Sequence, residues 1–448
     1  MSRAPPSPPS RPLVGHTVRF VRDALGFCER AREQYGDVYR LDIVGIGDVY
    51  VLASPRALER ALVTDAESFG KSADFRRAFG NSIVSVEGEQ WRRQRDVLQP
   101  YFYRDALEQY GDVMAECVTD RIAGWTAGDS IDVEREMGKL TFDVLFGTLF
   151  GERLPADEAT ELRAAANDLN AAFTPATWAL PDWVPTPSGR RFRRAVDRLG
   201  TKVDALIARR RDDRGEDLLS SLLDARDRGD LSKTEIRDVM VGMVFAGHET
   251  TALALTFTWY LLATNPAARR RFHAELDETL GGDPPTVADL PDLEYTDRLF
   301  TEALRLYPPV HTIPRRTTRA VEVGEYTIPA GKQINLSTFL VHRDGRFYDD
   351  PLSFRPDRWA DGGPDPTDYS YLPFGGGKRR CLGDQFARME AKLTLATVGQ
   401  RYRLEWDGQA GRGGDLPLAP QITLQPAPEM EMRVERRETG AAAEPPSF

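Results

Sequence analysis

Phe374-Gly-Gly-Gly-Lys-Arg-Arg-Cys-Leu-Gly383 is the stretch whose reading decides the fold. It sets one cysteine, Cys381, in a loop dense in glycine and arginine, directly before a predicted helix over about 383–402. Glycines let backbone N–H groups approach a sulfur, and positive side chains and a helix N-terminus favour its thiolate form. Such a cysteine is a candidate nucleophile or metal ligand. The other two, Cys28 and Cys117, sit in ordinary helical patterns and read as small core residues. Three cysteines in 448 residues build no disulfide scaffold, and a reducing cytoplasm is the expectation.

Upstream of the loop the periodicity is mostly helical from about 55 to 310. Ser232-Lys-Thr-Glu235 has the capping-box pattern, and an almost unbroken apolar run continues from it to Asn265-Pro266. That predicts a central helix of about 32 residues, roughly 48 Å long. Gly247-His248-Glu249-Thr250-Thr251 lies at its middle, and ionisable groups at a bilayer centre are expensive, so it reads as a buried helix rather than a membrane span. Nearer the N-terminus, a helix over 20–35 precedes a hairpin of 37–44 and 49–52, turning at Gly45-Ile-Gly-Asp48. Beyond residue 310 the pattern becomes short strands: 321–328, 333–337, 421–424 and 430–434.

The fold class is therefore mainly α with a smaller β part. A Pro-rich extended lead-in (1–15) and a disordered tail (436–448) flank a single domain over 16–435, although length alone suggests about three domains. A formal charge of −10 makes a polyanion such as nucleic acid a poor partner. The first residues lack the apolar run of a signal peptide, so a soluble, cytoplasmic monomer is expected.

Phe374, Gly377, Arg379, Cys381 and Gly383 match, position for position, the haem-ligand loop of the cytochrome P-450 family, which the chain resembles over nearly its whole length. The resemblance implies haem b with Cys381 as axial ligand of the iron, and Phe374, Gly375, Arg379 and Gly383 against the cofactor. Trp91-Arg-Arg-Gln-Arg95 is similar to the helix whose Trp91 and Arg95 would hold haem propionates. His311-Thr-Ile-Pro-Arg315 stands where the family places a further propionate contact; Arg315 is the choice, with Arg316 as the alternative. Glu302-Ala-Leu-Arg305 and Phe354-Arg-Pro-Asp-Arg-Trp359 resemble the segments in which Glu302, Arg305 and Arg358 form a structural network beneath the haem.

Ala246-Gly247-His248-Glu249-Thr250 matches the family's oxygen-binding groove. A carboxylate and a hydroxyl at one point of a buried helix can open its backbone ladder, order water and relay protons, which assigns Glu249 and Thr250 with Gly247 to catalysis. His248 is outside the family pattern; a packing or solvent-linked histidine is the default. Zinc is disfavoured because His-Glu-x-x-His would need a histidine at 252, where Ala252 stands.

A thiolate-ligated haem implies insertion of one atom of O2 into a C–H or C=C bond of a hydrophobic fatty-acid, terpenoid or steroid type substrate. Phe173, Trp178, Trp183 and Val244 are candidate pocket residues. The segment Ala179 to Ser188 departs from expectation as a rigid, Pro-rich insert. No dinucleotide fingerprint or iron–sulfur cysteine cluster is present in the sequence, so electrons would come from a separate ferredoxin or flavodoxin. Arg92, Arg93, Lys378 and Arg380 form its candidate docking patch. Two rival functions share the cysteine, a haem-thiolate peroxygenase or isomerase and a non-enzymatic haem sensor. The Glu249-Thr250 pair favours the monooxygenase.

Overall fold

The computed structural model describes residues 3–170, 186–211, 214–215, 217–364, 368–406, 408 and 416–437. Its axis is the central helix Lys233–Thr264, 32 residues long as the sequence predicts. Its capping box is formed: the Glu235 N–H donates to Ser232 Oγ at 3.1 Å, and the Ser232 N–H to Glu235 Oε2 at 2.9 Å. Pro266 opens the next helix and denies the central one any further donor. Among the described residues only this helix is long and apolar enough to cross a membrane, and 78% of its apolar window is buried inside the protein, as expected of a core helix.

Helix Val133–Leu149 packs along one side of the central helix. At Gly247 a Cβ would lie 2.8 Å from Leu145 Cδ1, so glycine is what lets the two backbones approach. Thr141 Oγ1 donates to the His248 carbonyl at 2.8 Å across the same seam. Helix Asp384–Arg401, which follows the cysteine loop, contacts the central helix elsewhere and packs on helix Arg104–Ile122. One contiguous apolar cluster runs from Phe27 to Val434, with a smaller one behind the main sheet.

That sheet brings distant parts of the chain together. Val38–Ile43 pairs antiparallel with Gly47–Leu52, which runs parallel to Gln333–Leu336; this strand pairs antiparallel with Ile313–Thr317, and Phe69–Gly70 forms the edge. Because side chains alternate along a strand, Arg315 is buried while Arg316 is exposed and donates to the Gly331 carbonyl at 3.1 Å. The Pro-rich lead-in is anchored at the sheet: the Arg40 N–H donates to the Pro6 carbonyl at 2.8 Å.

Four local expectations change. The helix over 20–35 is two, Thr17–Arg22 and Ala24–Tyr35, because Asp23 leaves helical geometry and caps the second by accepting from the Gly26 N–H. Segment 321–328 is a tight hairpin, Val321–Val323 against Tyr326–Ile328, turning where Gly324 has φ 61°. Segment 421–424 carries the turn between Leu418–Pro420 and Leu424–Pro426. The second strand of the first hairpin starts two residues earlier than expected, since Gly47 already pairs with Ile43.

Candidate active site

The cysteine loop hangs from a buried ionic node. Glu302 and Arg305, three residues apart on helix Glu294–Leu306, are both fully buried. Arg305 Nε and Nη2 donate to the two Glu302 oxygens at 2.9 and 2.8 Å. Glu302 also accepts from Arg358 Nε at 2.9 Å, Trp359 Nε1 at 2.8 Å and the Arg355 N–H at 3.1 Å. Buried charges persist only when saturated in this way. The remaining Arg305 nitrogen donates to the carbonyls of His342 and Pro351. His342 in turn holds the loop, its Nε2 accepting from the Leu372 N–H. Tyr371 and Tyr348 add phenol bonds to the Thr301 and Ser370 carbonyls. The predicted trio of Glu302, Arg305 and Arg358 is thus assembled; Trp359 and His342 are parts of it that sequence reading missed.

Within the loop the Cys381 N–H donates to the Phe374 carbonyl at 2.9 Å, the Gly375 N–H to Leu372, and the Arg380 N–H to Gly377. Gly377 has φ 65°, and any Cβ there would collide with the Leu62 carbonyl oxygen, so only glycine fits. The Cys381 residue is accessible, whereas Cys117 is buried and Cys28 half-buried. The expectation of a depressed thiol does not hold for the free side chain. Desolvation pushes Cys381 up and outweighs the Gly383 N–H and the Arg380 and Arg95 charges that pull it down, while Asp384 adds to the rise. Burial also pushes Cys28 to about 11 and Cys117 to about 12, consistent with inert core thiols.

A second constellation lies next to the loop. Trp91, on helix Gly88–Leu98, carries the Arg379 guanidinium 4.7 Å from its ring centroid and that of Arg95 at 5.5 Å. Arg379 Nη1 donates to the Val86 carbonyl at 2.8 Å, and Arg95 Nη1 to that of Arg380 at 3.3 Å. Arg315 and Lys71 complete the group. Desolvation, then the charges of Arg315 and Arg379, hold the Lys71 ammonium well below its usual range. Desolvation and then Arg379 bring Arg315 down to about 10, and Glu87 is the one carboxylate acting on all three cations. Lys71, Arg95, Arg315 and Arg379 outnumber the single carboxylate of Glu87, and this excess of cations suits a ligand bearing carboxylates. Arg315, not Arg316, joins this group. Lys71 was missed, since nothing in Phe69-Gly-Lys-Ser72 marks it as different from the other six lysines.

At the middle of the central helix Thr250 Oγ1 donates to the Ala246 carbonyl at 2.7 Å, one turn back along an unbroken helix. Glu249 is buried, with Oε1 accepting from Asn170, Thr423 and Gln425. Burial raises its pKa and those three donors oppose the rise. His248 has a defined place. Its Nδ1 lies 2.6 Å from the Val244 carbonyl, so Nδ1 carries the proton; Nε2 lies 3.3 Å from the Asn167 side chain. Burial lowers its pKa to about 4, so the ring is neutral and packs edge-on against Phe142. It is a packing histidine whose Nδ1–H is satisfied by the Val244 carbonyl. Val244 is buried on the same helix. Phe173, Trp178, Trp183 and most of the Pro-rich insert lie outside the described residues.

One accessible cysteine in a glycine-shaped loop, beside a cluster of cations in excess of its carboxylate, fits iron protoporphyrin: a sulfur for the metal and cations for its propionates. The class so defined is a haem-thiolate protein. The profile of the cytochrome P450 family matches residues 5–429. The chain is 36% identical over 411 residues to the cyclooctat-9-en-7-ol 5-monooxygenase of Streptomyces melanosporofaciens, covering 89% of each chain. To the pentalenene oxygenase of Streptomyces avermitilis it is 35% identical over 414 residues, covering 89% of this chain and 90% of the relative. The structure of retinoic acid bound cyanobacterial CYP120A1 superposes with a TM-score of 0.86 at 26% identity, over 98% of this chain and all of that one. The chain belongs to the cytochrome P450 family; it is a monooxygenase and its cofactor is haem b.

Proposed function

We propose that this monooxygenase oxidises a terpenoid-type hydrocarbon skeleton, with Cys381 as the axial ligand of the haem iron. Cys381 carries the reading: it is accessible, its loop accepts no side chain at Gly377, and its N–H is fixed by the Phe374 carbonyl. Two relatives act, by their names, on cyclooctat-9-en-7-ol and pentalenene, which favours a terpenoid over a fatty acid or steroid. Haem bound here supplies dioxygen activation, and thiolate donation favours O–O cleavage. Lys71, Trp91, Arg95, Arg315 and Arg379 would hold its propionates, and Phe374, Gly375, Gly383 and Ala246 would line its site. Thr250, with Glu249 behind it, hands protons to the oxygen side, and Gly247 keeps that part of the helix close to its neighbour.

Electrons arrive from a separate ferredoxin or flavodoxin. Of the candidate docking residues, Arg93 is tied to Glu235 and the Asp230 carbonyl, and Arg380 to Asp384. Arg92 and Lys378 are exposed and have no ion pair among the described residues, which suits them to an acidic partner. The Glu249-Thr250 pair favours this reading over a peroxygenase, which needs no proton relay to dioxygen. The test is the reduced carbon monoxide complex of the haem-loaded protein. Wild type gives the red-shifted Soret band of thiolate ligation and Cys381→Ser loses it; a band retained in Cys381→Ser sinks the assignment. A surrogate ferredoxin system with a terpenoid panel then tests the substrate class, and turnover of fatty acids alone would reject it.

A further inference from the structure

Glu249 is bound asymmetrically. Its Oε1 accepts three hydrogen bonds: from Asn170 Nδ2 at 2.6 Å, Gln425 Nε2 at 3.0 Å and Thr423 Oγ1 at 3.2 Å. Its Oε2 is buried and accepts none from the described residues. The donors come from far away in the chain. Asn170 follows the end of helix Ala156–Asp168, while Thr423 and Gln425 sit on the hairpin of Leu418–Pro420 and Leu424–Pro426. The hairpin is itself fixed, since the Leu424 N–H donates to the Pro309 carbonyl at 2.8 Å and the His311 imidazole lies 2.9 Å from the Gln421 carbonyl.

Three donors on one oxygen exceed its two lone pairs and concentrate the negative charge there. A proton arriving at the carboxylate is then excluded from Oε1 and must bind Oε2. Burial raises the proton affinity of Glu249, and the three donors oppose that rise. We propose that Asn170, Thr423 and Gln425 are positioning residues for proton delivery: they pin Oε1 of Glu249 so that Oε2 alone carries the proton that Thr250 passes on. This rests on the monooxygenase reading of Glu249 and Thr250. In the step the O–H bond at Oε2 breaks as an O–H bond forms at the next acceptor. Glu249 is left as a carboxylate and is reloaded from solvent.

Few other ionisable groups face this carboxyl. His248, beside it, is neutral, with its Nδ1 proton held by the Val244 carbonyl. Glu134, on the first turn of helix Val133–Leu149, feels the Glu249 charge. The third titratable neighbour, Arg163, acts on His248.

The experiment uses the haem-loaded enzyme and follows the infrared C=O band of the protonated Glu249 carboxyl against pH, assigned by its loss in Glu249→Gln. Removing one donor, in Thr423→Val, Gln425→Leu or Asn170→Leu, should raise the titration midpoint by about one pH unit, a tenfold change in proton affinity. The same variants should enlarge the solvent deuterium isotope effect on coupled turnover and divert reducing equivalents to peroxide. Thr423→Ser, which keeps the hydroxyl, should restore the midpoint, and this pair decides the matter if Asn170→Leu fails to retain haem. An unmoved midpoint and isotope effect in both Thr423→Val and Gln425→Leu overturn the proposal. Should Glu249→Gln itself leave isotope effect and coupling unchanged, the relay reading fails instead, and the clamp with it.

Discussion

The backbone N–H of Leu372 donates to His342 Nε2 at 2.9 Å, joining two buried groups thirty residues apart. Desolvation, reinforced by Arg305, lowers the imidazole pKa to about 3, so the acceptor lone pair survives at every pH where the protein is used. The segment leading to Cys381 is thereby tied to the Glu302–Arg305 node. His342→Phe removes the acceptor and leaves a buried donor unpaired, a cost of about 1–3 kcal/mol. The expected result is faster decay of the red-shifted carbon monoxide Soret band on mild heating, with decay at the wild-type rate counting against the tie.

Glu302→Gln tests the node more severely. The neutral amide keeps the shape but leaves Arg305 and Arg358 without their shared carboxylate. A loss of about 3–5 kcal/mol in urea unfolding is expected, as for any buried pair stripped of one partner. A midpoint within error of wild type would show that the network contributes little.

Thr250→Ala should hold haem and substrate normally while sending reducing equivalents to peroxide. Product formed per reducing equivalent checks this, and wild-type coupling would remove Thr250 from the relay.

Glu134 predicts a pH dependence of stability. Burial first, then the charges of Asp132 and Glu249, raise its pKa from 4.5 to about 7. The folded state therefore binds the proton more tightly than the unfolded chain. Stability from this group is complete below about pH 4.5 and is lost as pH rises to about 7. Allowing for its partial exposure, the loss is about 1–2 kcal/mol. Glu134→Gln should flatten unfolding midpoints across that window; an equally steep profile in the variant refutes the assignment.

Reversing Arg92 and Lys378 to Glu should slow reduction by an acidic ferredoxin about tenfold at low salt and flatten the salt dependence. Stopped-flow reduction at several ionic strengths reads both. An unchanged rate excludes these two residues from the interface.

What the sequence disclosed depended on how local each signal was. The capping box at Ser232, the apolar run to Asn265 and the Cys381 loop are carried by neighbouring residues, so their boundaries came out nearly as read. Glu302, Arg305 and Arg358 were legible only through the family resemblance, because a Glu-x-x-Arg pair by itself marks any solvated helix face. Lys71, His342 and the Glu249 clamp were illegible. Asn170, Thr423 and Gln425 reach Glu249 across 79, 174 and 176 residues, and no spacing rule reports such a meeting. The thiol of Cys381 misled in a different way, since counting nearby arginines ignores the desolvation that outweighs them.

The parallel pairing of Gly47–Leu52 with Gln333–Leu336 also governs when the protein can finish folding. The N-terminal hairpin can form as soon as it leaves the ribosome, yet one edge has no neighbour until most of the chain has been made. During synthesis that edge is an open template carrying Val49, Val51 and Leu52, apolar enough to capture a second nascent chain. The closing contacts have high sequence separation, which makes the sheet a late and slow step. Expression yield should therefore respond to translation speed and chaperone supply more than to substitutions in the early-forming helices.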